Sequence, residues 1–111
     1  MMHKMKLKKS PFELIKSGTK TIELRLNDEK RQLIKVGDLI EFTNIITNET
    51  LTVKVINLYY FDSFKELYKN FDKIDLGYRK DEEASYTDME QYYSKEKQEK
   101  YGVVGIHVEK I

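Results

Sequence analysis

The segment most informative about the architecture reads Gly18-Thr19-Lys20-Thr21-Ile22-Glu23-Leu24-Arg25. From Thr21 to Leu26, polar and apolar side chains alternate. Ile22, Leu24 and Leu26 lie on one side of the chain, and Thr21, Glu23 and Arg25 lie on the other. That period of two is typical of a half-buried β-strand, which we place at Thr19 to Leu26. The segment also carries a cation, an anion and a cation within six positions.

A helix precedes this strand, and a short strand precedes the helix. Ser10-Pro11 predicts the start of the helix, because serine is a good N-cap and proline is preset for the first helical position. Gly18 predicts its end, as a left-handed C-cap. From His3 to Leu7, polar and apolar side chains alternate enough to predict a short strand.

The rest of the chain predicts further strands and two more helices. The strands are expected at Leu39 to Thr43, Leu51 to Tyr60 and Gly102 to Ile111, with a hairpin tip at Asn48-Glu49. The helices are expected at Phe64 to Tyr68, capped by Ser63 or Asp62, and at Thr87 to Lys97, capped by Thr87. These elements predict one α+β domain over residues 1–111, a small, mostly antiparallel β-barrel of five or six strands with about three short helices.

Composition excludes several classes of site. Cysteine is absent, which removes disulfides, thiolate zinc sites and cysteine nucleophiles. The two histidines, His3 and His107, lie on terminal strands that could pair, and they are too few for a histidine-rich metal site. No glycine-rich phosphate loop appears, so we expect no metal and no cofactor. No apolar run is long enough to span a membrane, so we expect a soluble, cytoplasmic domain with no membrane partner.

The formal net charge is +1, yet the charges are unevenly distributed. Residues 1–40 hold ten basic and five acidic side chains, a net charge of +5, which leaves −4 for the remaining residues. A bipolar surface of this kind offers a face for anions or nucleic acid at its basic end. The alternative is a solvated basic terminus with no partner.

Lys20, Glu23 and Arg25 are the residues best suited to chemistry. Glu23 and Arg25 share a strand face, where their side chains can meet, and Lys20 can reach the same space from the turn before the strand. Such a cluster can hold a phosphate, a carboxylate or the edge of a nucleobase, with Asn27, Lys30 and Arg31 nearby in the next turn. The alternative is a surface ion pair that contributes little.

Aromatic side chains are frequent, with eight tyrosines and five phenylalanines. We expect five of them to fill the core, namely Phe42, Tyr59, Phe61, Phe64 and Phe71. Tyr92, Tyr93 and Tyr101 lie in polar surroundings and are candidates for a cleft wall. Together with Tyr78 and Tyr86, Tyr92 and Tyr93 can form a lid or, alternatively, pack a helix against the barrel.

Three segments together resemble the ASCH domain family. They are Pro11 to Arg25, which contains Gly18-x-Lys20-x-x-Glu23-x-Arg25; the turn and strand Val36-Gly37-Asp38-Leu39-Ile40-Glu41-Phe42; and the closing run Tyr101-Gly102-Val103-Val104-Gly105-Ile106. The resemblance spans Lys6 to Val108, with Asp75 to Met89 its least similar part. It implies a β-barrel related to the PUA RNA-binding fold.

The resemblance implies a cleft that binds RNA or a nucleotide-like small molecule. Its expected ligand-binding residues are Lys20, Thr21, Glu23, Arg25, Asn27, Arg31 and Tyr93, with Lys9 and Arg31 extending a basic rim. Some family members are hydrolases, one a ribonuclease and one an amidohydrolase acting on acetylated cytidine. Lys20 matches the lysine of that amidohydrolase, and Glu66 is a candidate for its distant glutamate.

The amidohydrolase's threonine corresponds to Glu23 in this chain. A hydroxyl can attack an acyl carbon, whereas a carboxylate there would have to act as a base on water, so the acetylcytidine activity does not carry over. The leading interpretation is therefore RNA or nucleotide binding. The alternatives are a hydrolase that uses Lys20 and Glu23, and a protein-interaction module with an inert cleft.

Overall fold

The structure is a computed structural model that describes all 111 residues. Its strands are β1 (Met2–Leu7), β2 (Ile22–Leu26), β3 (Leu39–Asn44), β4 (Thr50–Phe61) and β5 (Val103–Lys110). Its α-helices are α1 (Lys9–Lys16), α2 (Phe64–Tyr68) and α3 (Lys95–Tyr101). Short 3₁₀ segments occupy Arg31–Leu33 and Tyr86–Gln91.

The five strands form one sheet in the order β1-β3-β4-β5-β2. β1 runs parallel to β3 and every other pair is antiparallel. The sheet curls into a half-barrel whose two free edges are β1 and β2. The predicted class is confirmed: a small α+β domain with mostly antiparallel strands and a few short helices.

Two apolar clusters cover the two faces of this sheet. The first lies inside the curve, where α1 supplies Phe12 and Ile15 to the strands' inward side chains. The second lies on the other face, where α2 supplies Phe64 and Leu67 to the apolar side of β2. On the polar side of β2, Glu23 is buried and Arg25 is largely so, which means that this side is not a solvated surface.

The first helix differs from its prediction at one end only. The helix begins at Lys9 and its N-cap is Lys8, so the prediction of Ser10 as N-cap is wrong. Ser10 and Pro11 lie inside the first turn. Proline is tolerated there because the first turn's N–H groups have no partner within the helix. The end is as predicted, since Gly18 has φ +85°.

The predicted helix over Thr87 to Lys97 is wrong. The 3₁₀ segment Tyr86–Gln91 and the helix α3 replace it, and each has its own serine cap. The Ser94 side chain accepts a hydrogen bond from the N–H of Lys97 and so begins a new helix. Just before it, the ring of Tyr93 stacks on that of Phe64 at 5.7 Å, which ties this point of the chain to the second cluster. The cap of α2 is Ser63, one of the two residues expected.

The terminal strands do not pair with each other, which corrects the expectation for His3 and His107. β1 pairs with β3 alone, and β5 lies between β4 and β2. His3 instead contacts Asp38, with 2.8 Å between Nε2 and Oδ2. Among the expected core aromatics, Phe42 and Phe64 are fully buried, whereas Tyr59, Phe61 and Phe71 are only partly so.

Asp38 makes the stability of the fold depend on pH. The hydrogen bond from His3, helped by the N–H of Lys35 at 3.0 Å, lowers the pKa of Asp38 from 3.8 to about 2. A lowered pKa means that the ionised carboxylate stabilises the fold at pH values above about 4, and that this contribution is lost as the pH falls through 2. We expect the difference in unfolding free energy between wild type and Asp38→Asn to shrink as the pH falls from 4 to 2. Urea denaturation at each pH measures it, and a difference that does not vary with pH would contradict the assignment.

Candidate functional site

A cavity of about 470 Å³ lies where the free edges of β1 and β2 part. The end of β1 supplies Lys6 and, just after it, Lys8. The edge of β2 supplies Glu23, Leu24 and Arg25. The remaining wall comes from α2, the loop after it and the segment around the 3₁₀ turn Tyr86–Gln91. The volume lies in the range of pockets that hold small organic ligands.

Three charged side chains meet in the cavity wall. The Nζ of Lys20 lies 3.0 Å from Oε1 of Glu23, and the Nε of Arg25 lies 2.7 Å from Oε2 of the same carboxylate. All three are largely buried, with side chains 9%, 5% and 13% exposed for Lys20, Glu23 and Arg25. The carboxylate is therefore held by a different cation at each oxygen.

The electrostatics of the cluster follow from this pairing. Burial alone would raise the pKa of Glu23, but the cations of Lys20 and Arg25 outweigh it and lower that pKa. Burial would lower the pKa of Arg25, whereas Glu23 and Tyr93 beside it raise that pKa. Glu23 and Arg25 are therefore charged at neutral pH, and the one carboxylate faces the basic side chains of both Lys20 and Arg25.

Lys20 is positioned by the turn after α1 and by a glycine in the loop after α2. Its N–H donates to the carbonyl of Leu14, and the next two N–H groups of the chain donate to the carbonyl of Asp75. Gly77 then passes so close that an added Cβ would lie 2.9 Å from Cδ of Lys20. The loop after α2 therefore presses the aliphatic stem of Lys20 toward the carboxylate.

Arg25 links the two edges of the half-barrel. Its Nε binds Glu23 on β2, while its Nη2 donates to the carbonyl of Lys6 on β1 at 3.0 Å. The guanidinium thus spans the gap where no backbone ladder joins the two strands. Its five N–H groups in a fixed plane suit such bridging.

The opposite wall is aromatic and polar. The hydroxyls of Tyr68 and Tyr78 lie 2.8 Å apart, and the Tyr78 hydroxyl donates to Oδ2 of Asp88 at 2.6 Å. Burial and the neighbouring Asp88 raise the pKa of Tyr78 far above its usual value, so its hydroxyl stays protonated. At the mouth, the Nζ of Lys8 donates to the hydroxyl of Tyr92 at 2.9 Å.

The structure brings Lys20, Glu23, Arg25 and Tyr93 together and places the other predicted site residues elsewhere. Those outside the cavity are Thr21, whose hydroxyl donates to Asp75; Asn27, which is half-buried; Arg31, which pairs with Asp28; and Glu66, which is exposed and pairs with Lys69. The exposed rim candidate Lys9 also lies outside it. Thr21 lines a second, smaller cavity of about 260 Å³ that also includes Lys20.

Sequence reasoning missed most of the wall. It did not single out Lys6, Lys8, Tyr68, Gly77 or Asp88, which all line the cavity. Gly77 could have been found from the sequence, because a glycine just beyond a predicted helix favours a positive φ. In the structure its φ is +102°. Asp88 could not have been found in this way, since its role depends on a tyrosine ten positions earlier. Of the tyrosines suggested as a cleft wall or lid, Tyr78, Tyr92 and Tyr93 line the cavity and Tyr86 and Tyr101 do not.

Two further observations bear on the kind of site this is. No group of three or more histidine, cysteine, aspartate or glutamate side chains is placed to hold a metal ion. None of the helices has the length and apolar character that a membrane crossing requires.

Comparison with known families matches the ASCH domain to residues 5–111. The chain belongs to the ASCH domain family. The match includes β2 and every residue that lines the cavity of this ASCH domain.

Two solved structures are similar to this ASCH chain over its whole length. The crystal structure of hypothetical protein PH0355 is 37% identical, covers 100% of both chains and superposes with a TM-score of 0.84. The solution NMR structure of protein PF0455 from Pyrococcus furiosus is 36% identical, covers 100% of this chain and 98% of that one, and superposes with a TM-score of 0.72. No protein with curated annotation matches this chain.

Proposed function

We propose that the cavity binds one nucleotide unit, either as a free nucleotide or as a nucleotide of single-stranded RNA. The observation that carries the proposal is the buried cluster of Lys20, Glu23 and Arg25 in the wall of a tyrosine-lined cavity of about 470 Å³. Two cations against one carboxylate leave the cluster with a net positive charge, which suits an anion. Tyrosine rings suit a planar base.

The shape of the site supports a single unit rather than a duplex. Its net positive charge is concentrated in a cavity, while the whole chain carries only +1. Duplex binding depends on many phosphate contacts along a basic surface. A local cavity with Lys6 and Lys8 at its exposed end suits one nucleotide with its phosphate toward the opening.

The state of Glu23 supports binding over hydrolysis. A general base works best with a pKa near the operating pH. The pKa of Glu23 is lowered, and both of its oxygens are held by cations, so it is a weak proton acceptor. The hydroxyl of Thr21 is engaged by Asp75 and lies outside the cavity, so it is not positioned as a nucleophile.

Binding can be tested with mixed-sequence single-stranded RNA and the four nucleoside 5′-monophosphates, by fluorescence anisotropy and calorimetry at low salt. We expect Lys20→Ala and Arg25→Ala to weaken binding by about tenfold or more, because each removes a charged hydrogen-bond donor. Lys54→Ala removes the same charge from an exposed position on β4 away from the cavity, and we expect binding to change by less than about twofold.

Two results would contradict the proposal. One is the absence of binding by RNA and by all four monophosphates. The other is equal weakening in all three variants, which would indicate a general effect of surface charge. Circular dichroism of each variant establishes that it is folded before its affinity is compared, and turnover of acetylated nucleosides or labelled RNA would favour the hydrolase alternative instead.

A further inference from the structure

The cavity meets the free edge of β2 at Leu24. Consecutive side chains of a strand point to opposite faces. Glu23 and Arg25 point to one face and Leu24 points to the other, yet all three residues line the cavity. A cavity that touches both faces of an edge strand also touches the backbone between them. The backbone of Leu24 therefore borders the cavity.

The hydrogen-bond ladder shows which backbone groups are directed toward that edge. The N–H of Val108 donates to the carbonyl of Thr21, and the N–H of Asn27 donates to the carbonyl of Gly102. Because hydrogen-bonded residues alternate along an antiparallel pair, the ladder to β5 uses the backbone of Glu23 and Arg25 between these points. The N–H and C=O of Leu24 point the other way, off the sheet.

The neighbouring edge positions, Ile22 and Leu26, do not present their backbone groups to the cavity. The N–H of Ile22 donates to the carbonyl of Asp75, so the loop after α2 covers that end. Ile22 and Leu26 do not line the cavity. Leu24 alone presents an adjacent donor and acceptor to it, and neither group has a partner within the protein. Backbone groups away from bulk water are nearly always paired, so a ligand or a water must complete them.

We propose that the N–H and C=O of Leu24 bind the Watson–Crick edge of a nucleobase, which offers a matching acceptor and donor side by side. The inference rests on the proposed function and specifies how the base is held. With its edge against Leu24, the ring lies between the charged cluster and the tyrosine wall. Lys6 and Lys8 then lie toward the opening, where a phosphate would be.

An extended peptide fits this edge poorly. A peptide that adds to a sheet uses several successive edge positions. Here Leu24 is the only outward-facing edge position that lies in the cavity, between the loop that covers Ile22 and the end of the cavity before Leu26. One residue supplies one donor and one acceptor, which suffices for one base and not for a strand.

The test follows the ¹⁵N-labelled protein by NMR while AMP, CMP, GMP and UMP are titrated separately. We expect the Leu24 amide to shift downfield and to exchange its proton more slowly with the nucleotide that binds best. A neutral counterpart of that nucleotide with an altered Watson–Crick edge should bind more than about tenfold more weakly, because it loses a paired contact. The alteration is a methyl group on the edge ring nitrogen of GMP or UMP, and replacement of the edge ring nitrogen by C–H in AMP or CMP, since methylation there would add a positive charge. The 2′-O-methyl counterpart changes the sugar and not the edge, and its affinity should stay within about threefold.

The outcomes separate this inference from the proposed function. If the side-chain signals of Lys20 and Arg25 move while the Leu24 amide does not, and the edge-altered nucleotide binds equally well, the inference is overturned and the proposed function stands. If no nucleotide and no RNA moves any of these signals, the proposed function fails and the inference fails with it. A short extended peptide that shifts the Leu24 amide when nucleotides do not would also overturn it.

Discussion

Glu23→Ala is expected to destabilise the protein by about 3–5 kcal/mol, the range typical of removing one partner from a buried ion pair. The substitution leaves Lys20 and Arg25 buried without the carboxylate that both contact. The loss of stability comes from leaving two buried cations without a counter-charge, and not only from losing their attraction to Glu23. Urea denaturation of wild type and variant measures the difference in unfolding free energy.

A matched control and a double variant make this expectation specific. Glu66→Ala removes an exposed carboxylate that pairs with Lys69, and we expect it to cost less than about 1 kcal/mol. Adding Lys20→Met to Glu23→Ala removes one of the two unpaired cations while keeping a side chain of similar size at position 20, so it should restore part of the lost stability. A loss for Glu23→Ala as small as that for Glu66→Ala would show that the cluster behaves as a surface ion pair.

Gly77→Ala is expected both to destabilise the fold and to weaken ligand binding by about tenfold. The backbone of Gly77 has φ +102°, where a side chain costs about 1–3 kcal/mol. In addition, the new Cβ would lie 2.9 Å from Cδ of Lys20, so the lysine stem must move. Moving it pulls Nζ away from Glu23 and from the cavity. Denaturation and the nucleotide titration described above measure the two effects.

Gly37 provides the control for this variant. Its φ is +94°, but no atom lies within 4 Å of an added Cβ. Gly37→Ala therefore carries the same kind of backbone strain without the contact to Lys20, and ligand affinity should stay within about twofold of wild type. If both variants weaken binding equally, the contact between Gly77 and Lys20 is not what positions the lysine.

The strands could be predicted from sequence because their signals are local. The alternation around Ile22 and Leu24 and the left-handed glycine at Gly18 depend on neighbours within a few residues. The predicted helix over Thr87 to Lys97 failed because Ser94 begins a new helix while Tyr93 packs on Phe64, a contact between residues 29 positions apart. A helical pattern of apolar residues cannot report such a contact.

The charged cluster of Lys20, Glu23 and Arg25 was also predictable, whereas its burial and the contacts of the opposite wall were not. Lys20, Glu23 and Arg25 lie within six positions, so the geometry of one strand and one turn brings them together. Their burial did not follow from the same pattern, because α2 and the loop after it cover β2 only in the folded chain. Tyr78 and Asp88 meet across ten residues of irregular chain, where no periodicity applies.

The strand order has a consequence for how the chain acquires its site. β2 is complete by Leu26, yet its only ladder partner is β5, which begins at Val103. Contacts so far apart in sequence are slow to form, because a long loop must close first. During synthesis Glu23 therefore stays in water, near Lys20 and Arg25 but not desolvated, until residues 103–110 are available. The cavity is consequently among the last parts of this fold to form.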